Sequence, residues 1–263
     1  MITILILATL GFIIIKHRFF WEVKNEIKFP KNGTVYMSHR GYKKTFPENT
    51  MGAYKDSVKL DFQWIELDII ATKDNVIICS HNFDLEKETN GTGDVDKIKY
   101  TALSYLYTGI YHPKNNTEKL PKLVNVINEL PESTYFNIEI KAPKIFNLKT
   151  ARALTKQIKE LPMSRILISS FNPVVLFYFK IFYPKIRTAF LYQNLEYLWI
   201  INWLHPTYLH PRADLVDDRL ISECKRKSLD INVWTVNNKA AIDWCIKKNI
   251  NGIITDRGPD SWK

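Results

Sequence analysis

Short apolar runs alternate with longer amphipathic stretches over most of the chain, between residues 34 and 255. This alternation is typical of parallel strands joined by helical crossovers. The strands are predicted at residues 34–39, 64–70, 136–141, 166–170, 188–192, 207–210, 231–236 and 252–255. Eight parallel strands are what a closed (β/α)8 barrel requires, so the pattern predicts an α/β protein with a TIM barrel fold.

A further apolar run at residues 76–80 follows the second predicted strand after only residues 72–75. A parallel crossover needs a dozen or more residues, so this pair is predicted to be an antiparallel hairpin. The hairpin would return His81 to the end of the barrel at which the strand of Asp68 ends. Residues 84–120 show no strong periodicity, which predicts an insertion after the second strand, often a lid in a barrel enzyme. Helices are predicted at residues 49–60, 149–161, 217–228 and 239–249.

The N-terminus is different, because residues 2–15 are almost wholly apolar and Lys16, His17 and Arg18 follow at once. Fourteen residues fall short of the ~20 that span a bilayer, but the aromatic residues 19–21 could extend the segment into the interface. We interpret residues 1–21 as an uncleaved membrane anchor, residues 22–33 as a polar connector and residues 34–263 as the barrel domain. The alternative is a hydrophobic helix that packs on the domain. Basic residues after the segment predict that the barrel lies on the cytoplasmic side.

The formal net charge is +10, and 24% of the residues are charged. A basic surface suits nucleic acid, an anionic membrane or a phosphate-bearing substrate. No zinc finger or RNA-binding signature is present, so nucleic acid is not expected as a partner. The three cysteines have no CxxC spacing and lie in apolar runs, which predicts buried free thiols and not a disulfide framework or a zinc site.

Carboxylates stand near the ends of two neighbouring predicted strands: Glu66 and Asp68 on the second, and Glu139 on the third. Strand alternation puts Glu66 and Asp68 on one face, which should be the lumen because apolar residues occupy the other face. Three carboxylates in one lumen cannot all stay charged and unpaired. A divalent cation would resolve this, and hard oxygen ligands suit Mg²⁺ or Ca²⁺. The alternative is a network of ion pairs with Lys141 and Arg40.

Two histidines are predicted at the same rim, His39 at the end of the first strand and His81 at the end of the hairpin. Imidazoles suit paired general acid and base catalysis near neutral pH. Arg40 and Lys141 would hold phosphate oxygens, the arginine with a bidentate fork. The remaining histidines are interpreted as structural, with His210 the most doubtful because it lies at a predicted strand end. They are His17, His112, His205 and His210.

Taken in order, a series of short motifs resembles the glycerophosphodiester phosphodiesterase family over roughly residues 34–260. The motifs are His39-Arg40-Gly41, Pro47-Glu48-Asn49-Thr50, Glu66-x-Asp68, Thr72-Lys73-Asp74, His81, Glu139-Ile140-Lys141, Ser169-Ser170-Phe171-Asn172, Trp234-Thr235-Val236-Asn237 and Gly252-Ile253-Ile254-Thr255-Asp256. Each is weak alone, but together and in this order they are specific. The resemblance implies a barrel enzyme that cleaves a glycerol-linked phosphodiester.

The resemblance also implies roles for individual residues. His39 and His81 would be the acid/base pair. A divalent ion would bind Glu66, Asp68 and Glu139, and Arg40 and Lys141 would contact phosphate. Glu48 would line the mouth of the site, with a stabilising acid at a helix N-terminus as the alternative. Trp234 would form an apolar wall for glycerol or the head group, with a core tryptophan as the alternative.

One departure concerns the residue after the second histidine, which is usually aspartate in the family and is Asn82 here. Asparagine accepts and donates hydrogen bonds but cannot stabilise an imidazolium by charge. Retained chemistry with a shifted pH profile is therefore expected.

The expected reaction releases glycerol 3-phosphate and an alcohol, either through a cyclic phosphate or by direct attack of water. The membrane anchor leaves open a lysophospholipase D-type reaction that releases lysophosphatidic acid. Dense aromatics at residues 177–182 and 197–203 would favour such a lipid if they line a groove near the site, although packing on the outer helices is the simpler interpretation. The alternative from another class is a catalytically weak, membrane-associated barrel that binds phospholipid.

Overall fold

A computed structural model describes residues 1–24, 28–29 and 33–259. The strands are β1 (Val35–Ser38), β2 (Trp64–Ala71), β3 (Ile77–Cys79), β4 (Tyr107–Thr108), β5 (Glu118–Lys119), β6 (Tyr135–Ile140), β7 (Ile166–Ser170), β8 (Thr188–Tyr192), β9 (Tyr208–Pro211), β10 (Asp230–Val233) and β11 (Gly252–Thr255). The α-helices are α1 (Ile2–Phe19), α2 (Met51–Lys59), α3 (Tyr100–Leu103), α4 (Leu123–Glu129), α5 (Lys149–Lys156), α6 (Pro173–Phe182), α7 (Ile201–Leu204), α8 (Asp218–Arg226) and α9 (Lys239–Lys247).

Eight parallel strands form one closed barrel. The hydrogen-bonded order runs β1-β11-β10-β9-β8-β7-β6-β2, and β2 pairs with β1 to close the ring. This confirms the predicted TIM barrel, and each predicted strand lies within a few residues of an observed one. The largest difference is the seventh barrel strand, β10, which ends at Val233 and not at residue 236. Trp234 instead follows the ladder as an isolated bridge to Arg212.

Alternation along β2 and β6 sorts the side chains onto two faces. Ile65, Leu67 and Ile69 on β2, with Ile138 on β6, belong to the apolar core that the surrounding helices cover. The intervening positions of both strands point the other way, into the lumen. Polar residues at those positions therefore meet near the C-terminal rim of the barrel.

The predicted hairpin is confirmed, because β3 pairs antiparallel with β2. The backbone N–H of Ser80 donates to the carbonyl of Asp68 at 3.1 Å, which brings the following residue, His81, back to the rim. The insertion that follows contains α3 and the small β4–β5 sheet. It has its own apolar cluster, which includes Leu85, Val95 and Leu103 and packs on the outer β2–β3 hairpin.

The connector between α1 and β1 is more buried than its charged composition indicates. Phe29 is 8% exposed and belongs to the same apolar cluster as Met37 and Trp64. Its backbone N–H donates to the hydroxyl of Tyr208 at 3.0 Å. Tyr208 begins β9 and Trp64 begins β2, so Phe29 closes the N-terminal end of the barrel, opposite the C-terminal rim. Residues 25–27 and 30–32 of the predicted connector lie outside the described residues.

Helix α1 is long and apolar enough to cross a membrane by length and composition, with a mean hydropathy of 1.8 and no buried residue. Trp21, expected within the anchor, is instead 7% exposed and stacks on His205 with ring centroids 4.5 Å apart. Its indole N–H donates to Asn202 at 3.1 Å. His17, at the end of α1, and Trp21 both contact His205, so the chain meets the barrel there, and the exposed apolar surface belongs to the preceding turns of α1.

A tight loop between β1 and α2 carries the first group of site residues. Gly41 has φ of +79°, and a Cβ there would approach the backbone of Ala53 at 2.9 Å, so the position requires glycine. The buried Thr50 caps α2, because its hydroxyl accepts from the N–H of Ala53 and donates to the carbonyl of Pro47 at 2.6 Å. The cap fixes Glu48 and Asn49 relative to the rim.

We expect Thr50→Ala to lower the free energy of unfolding by about 1–2 kcal/mol, because the cap of α2 is lost inside the protein. Thr50→Ser keeps the hydroxyl and should lose much less. Urea unfolding followed by circular dichroism measures both. Equal stability of the alanine variant and the unchanged protein would show that the cap does not hold this loop.

Candidate active site

Three carboxylates meet at the C-terminal rim of the barrel. Glu66 and Asp68 lie on β2, Glu139 lies on β6, and Asp68 and Glu139 are directly paired neighbours in the sheet register. One carboxylate oxygen from each lies within 4.8 Å of the others. All three side chains are buried, with residue exposures of 4%, 0% and 7%. The sequence prediction that these acids converge in the lumen therefore agrees with the geometry.

Two cationic side chains contact this cluster. Lys141 Nζ lies 2.6 Å from Glu139 Oε1 and 3.0 Å from Asp68 Oδ1. Arg40 Nε lies 3.2 Å from Asp68 Oδ2, and the Arg40 backbone N–H donates to Glu66 Oε2 at 2.8 Å. The ion-pair network considered from the sequence is thus present, with Arg40 and Lys141 beside the acids they were expected to neutralise.

The network leaves the acids unevenly compensated. Burial and the charges of Asp68 and Glu139 raise the pKa of Glu66 well above its usual range. Burial raises the pKa of Glu139 to about 7, although Lys141 opposes the rise. The pKa of Asp68 is lowered despite burial, because Lys141 and Arg40 both favour its charged form. Glu66 and Glu139 therefore have too little positive charge nearby to stabilise their ionised forms.

This deficit and the donor set fit a hard divalent cation. Carboxylate oxygens are the ligands that Mg²⁺ and Ca²⁺ prefer, and the three oxygens converge on one volume. Asn137 adds an independent sign. Its side chain is 1% exposed, lies on β6 opposite Glu66, and has no hydrogen-bond partner for either amide atom among the described residues. A buried amide of this kind normally has a partner, so the site is built to hold a further polar group.

His39 follows β1 and is oriented by a carboxylate. Its Nδ1 lies 2.8 Å from Asp256 Oδ1, which leaves Nε2 for the site. Asp256 is held in turn by Lys43 at 3.0 Å and by the Asn237 amide at 2.6 Å. The pKa of Asp256 is lowered, mainly by His39 and Lys43 acting against burial. A histidine so held has a fixed tautomer and ring orientation.

His81 reaches the same cavity from the β2–β3 hairpin, and burial lowers its pKa to about 4. In contrast to His39, it has no hydrogen-bonded carboxylate among the described residues. The next residue, Asn82, donates through its amide to Glu88 Oε1. The rim therefore carries two imidazoles in different surroundings.

One cavity of about 180 Å³ collects most of the predicted site residues. It is lined by His39, Arg40, Glu66, His81, Asn137, Glu139, Lys141, Phe171, Leu191, Gln193, Trp234 and Ile254. Trp234 and Phe171 form its apolar wall, with ring centroids 5.4 Å apart in an edge-to-face contact. The aromatic residues at 177–182 and 197–203 are absent from this lining, so they form no groove in the cavity wall.

Glu48 lies behind Arg40 and not in the wall of that cavity. Arg40 donates to its Oε1 at 2.7 Å, and Lys43 donates to its Oε2 at 3.2 Å. Its neighbour Asn49 donates to Asp68 Oδ2 at 2.9 Å and accepts from the Asp68 backbone N–H at 3.0 Å. The α2 loop therefore positions Arg40 and Asp68 from the outside.

Sequence reasoning assigned no role to Asn49, Asn137 or Asp256. Asn137 could have been found, because it lies two residues before Glu139 and so faces the same lumen. Asn49 and Asp256 were quoted in motifs, but only the fold shows their hydrogen bonds to Asp68 and His39. The histidines interpreted as structural all lie outside the cavity lining. His210 is fully buried with Nε2 2.9 Å from the Asn232 amide.

The C-terminal rim of this barrel carries buried carboxylates, two imidazoles and two cationic side chains, and this rim is where barrel enzymes place their active sites. The sequence profile of the Glycerophosphoryl diester phosphodiesterase family matches residues 39–259. The chain belongs to this family, and it is a phosphodiesterase of the glycerophosphodiester class.

Individual relatives agree with this assignment. The chain is 33% identical over 228 residues to a glycerophosphodiester phosphodiesterase of Caldanaerobacter subterraneus subsp. tengcongensis, covering 85% of this chain and 94% of that protein. It is 28% identical over 167 residues to a lysophospholipase D of Mus musculus, covering 59% of this chain and 52% of that protein.

Solved structures share the fold. A putative glycerophosphoryl diester phosphodiesterase from Silicibacter pomeroyi superposes with a TM-score of 0.78 at 19% identity, covering 89% of this chain and 92% of that chain. An Oleispira antarctica phosphodiesterase in complex with the product sn-glycerol-3-phosphate gives a TM-score of 0.77 at 21% identity, covering 85% and 93%.

A divalent cation should stabilise the fold, and more so at pH 8 than at pH 6. Glu139, with a pKa of about 7, is mostly charged at pH 8 but must lose a proton to bind a cation at pH 6. A ligand at ~100 times its Kd stabilises the native state by about 2.7 kcal/mol. Thermal unfolding with and without Mg²⁺ or Ca²⁺ measures the difference.

Glu139→Gln should remove most of this response. Glu129→Gln is the matched control, because Glu129 is an exposed acid on α4 paired with Lys55. An equal rise in Tm for both variants would place the cation elsewhere.

Proposed function

We propose that this enzyme hydrolyses glycerophosphodiesters to glycerol 3-phosphate and an alcohol, with a divalent cation at Glu66, Asp68 and Glu139. The proposal rests on the cluster of these acids, because Glu66 and Glu139 line one small cavity with His39 and His81, and Asp68 adjoins them. The Oleispira antarctica relative holds sn-glycerol-3-phosphate as its product, which fits a glycerol-linked substrate here. When bound, Mg²⁺ or Ca²⁺ supplies positive charge for a phosphate oxygen and lowers the pKa of an adjacent hydroxyl.

His39 and His81 are the proposed acid/base pair. Asp256 holds the Nδ1 side of His39, so Nε2 is the atom that exchanges a proton with the substrate. One imidazole removes a proton from the attacking oxygen, and the other protonates the leaving alkoxide. Whether that attacking oxygen is water or the glycerol hydroxyl, the same two imidazoles serve.

Arg40 and Lys141 are the proposed phosphate contacts. Both line the cavity, and both are already paired with carboxylates. Their charged groups are therefore held in position before the substrate binds. Glu48 orients the Arg40 guanidinium through the 2.7 Å hydrogen bond. Such prepositioned charge stabilises a transition state without reorganisation. Trp234 and Phe171 offer an apolar wall to the carbon atoms of glycerol or the head group.

A second candidate substrate is a lysophospholipid, which would yield lysophosphatidic acid. The similarity to the mouse lysophospholipase D favours this activity. The cavity gives less support, because at about 180 Å³ it suits glycerol phosphate better than an acyl chain. We therefore rank the water-soluble diester first.

We expect His39→Ala to lose at least ~100-fold in kcat, because a general acid or base contributes about 10²–10⁴-fold. The assay uses glycerophosphocholine, with circular dichroism to show that the fold is kept. His17→Ala is the control, because His17 packs on His205 at the opposite end of the barrel. A near-unchanged rate in the His39 variant would overturn the acid/base role.

The same purified protein separates the three candidate functions. Glycerophosphocholine turnover that a chelator abolishes supports the proposed reaction, and chelator-insensitive turnover removes the cation role. Faster turnover of lysophosphatidylcholine would reverse the ranking of substrates. Binding of phospholipid without turnover of either compound would indicate the catalytically weak barrel.

We further propose that α1 anchors the protein in a membrane, with the barrel on the cytoplasmic side. Its apolar side chains are exposed along the whole helix, and Lys16, His17 and Arg18 form a basic last turn. The wall of the barrel beside the anchor is also apolar. Helix α7 contacts α1, α6 and the 3₁₀ segment Leu195–Ile200. Large exposed side chains lie on α6 and on this segment: Phe177, Ile181, Phe182, Leu195, Tyr197 and Trp199.

Such a concentration of exposed apolar side chains marks an interaction surface. Its position beside α1 favours contact with the same bilayer, and the exposed Lys185 suits anionic lipid headgroups. The exposed aromatics of residues 177–182 and 197–203 therefore fit a membrane-facing wall, whereas Phe179 packs in the core and Tyr178 packs against it, as the simpler interpretation expected.

We expect a fluorescent probe at Phe182→Cys to be shielded from water when the full chain is reconstituted in anionic vesicles. The native cysteines are buried and should not react. A probe at Tyr105→Cys is the control, because Tyr105 is 78% exposed on the insertion. Equal quenching of both probes by aqueous iodide would contradict the wall contact, and release of the protein by alkaline carbonate would contradict the anchor.

A further inference from the structure

The two active-site histidines differ in how a negative charge reaches them. His39 is hydrogen-bonded directly to Asp256 at 2.8 Å. His81 has no such bond among the described residues, and the residue beside it, Asn82, is neutral. An imidazole that must carry a proton during turnover is stabilised by a nearby carboxylate. Asp68 acts on His81 from β2, but Asp68 is itself paired with Arg40 and Lys141, so the second histidine has no carboxylate of its own there.

Glu88 is a carboxylate that could stabilise the protonated ring of His81. One of its oxygens, one oxygen of Glu48 and one ring nitrogen of His81 lie within 4.8 Å of one another. Its Oε1 accepts the amide hydrogen of Asn82, which links it to the residue after His81. The backbone of Glu88 is fixed as well, because its carbonyl accepts from the N–H of Gly109 at 2.8 Å. The insertion thus delivers a held side chain to the rim.

The three carboxylates near His81 differ in compensation, and Asp68 is paired with both Arg40 and Lys141. Glu48 is paired with both Arg40 and Lys43. Glu88 has no lysine or arginine within ion-pair distance in the part of the chain that the structure describes. Its surroundings hold Glu48, Arg40 and Asp68, and burial together with Glu48 raises its pKa to about 7. Of these three carboxylates, Glu88 is therefore the one that no lysine or arginine neutralises in the described part of the chain.

We propose that Glu88 is the positioning residue for His81: held by Asn82, its carboxylate stabilises the protonated imidazole during turnover. The insertion would thereby contribute to catalysis, and the Asn82–Glu88 pair would provide one carboxylate and one amide beside the second histidine. This inference rests on the proposed acid/base role of His81. It explains how the chain can work without a carboxylate at residue 82.

The test exchanges the two groups across their hydrogen bond. Glu88→Gln removes the charge, Asn82→Asp adds a second one, and the double variant Asn82→Asp/Glu88→Gln restores one carboxylate and one amide. We expect Glu88→Gln to lower kcat on glycerophosphocholine about ten-fold with little change in KM, as for other groups that orient a catalytic side chain. We expect the double variant to recover most of the loss.

The pH profile separates this role from a merely structural one. Without the carboxylate, the protonated form of His81 is less stable, so its limb in the kcat profile should move to lower pH by about one unit. Asn82→Asp should move that limb to higher pH. Glu86→Gln, a change at an exposed acid two residues away, is the control and should alter neither kcat nor the limb.

Each outcome decides the matter. An unchanged kcat and pH profile in Glu88→Gln, or a double variant no better than Glu88→Gln, overturns the assignment. NMR titration of the His81 ring in the same variants reads the imidazole pKa without turnover. If the unchanged enzyme proves inactive while Glu88→Gln still lowers that pKa, the proposed reaction fails and the Glu88–His81 coupling stands.

Discussion

The site depends on three carboxyl groups that the fold buries close together, away from water. Glu66, Asp68 and Glu139 point into the lumen because strand alternation and the β2–β6 register leave them no other direction. Arg40 and Lys141 compensate only part of their charge, which the raised pKa values of Glu66 and Glu139 record. A divalent cation would favour the charged forms of these carboxylates by supplying the missing positive charge. The proposed cation role rests on this imbalance.

Support for this cluster comes from parts of the chain that are distant in sequence. The Thr50 cap fixes the loop whose Asn49 binds Asp68. The closing strand delivers Asp256 to His39, and the β2–β3 hairpin returns His81 to the rim. Phe29 closes the opposite end of the barrel. The scaffold is therefore rigid where the chemistry needs fixed geometry.

Much of this could be predicted from sequence, because it depends on local periodicity. Alternation placed Glu66, Asp68 and Glu139 on one face, and the short spacing after residue 71 required a hairpin that returns His81. The residues at which the strands end were harder to predict. The isolated β-bridge of Trp234, for example, lies just beyond β10 and has no signal in the hydrophobic periodicity. Burial of Trp21 and Phe29 could not be foreseen, because it depends on a surface that exists only after the barrel has closed. Glu88 was hidden for the same reason, as its position depends on how the aperiodic insertion packs.

The central claim is that one divalent cation binds among the three acids. Anomalous diffraction from crystals soaked in Mn²⁺, an oxygen-preferring substitute for Mg²⁺, locates such an ion directly. The account predicts a single strong anomalous peak in contact with carboxylate oxygens of Glu66, Asp68 and Glu139. A peak at a second group of possible ligands, Glu48, His81 and Glu88, would contradict it. So would the absence of a peak at the rim while the three acids remain paired with Arg40 and Lys141.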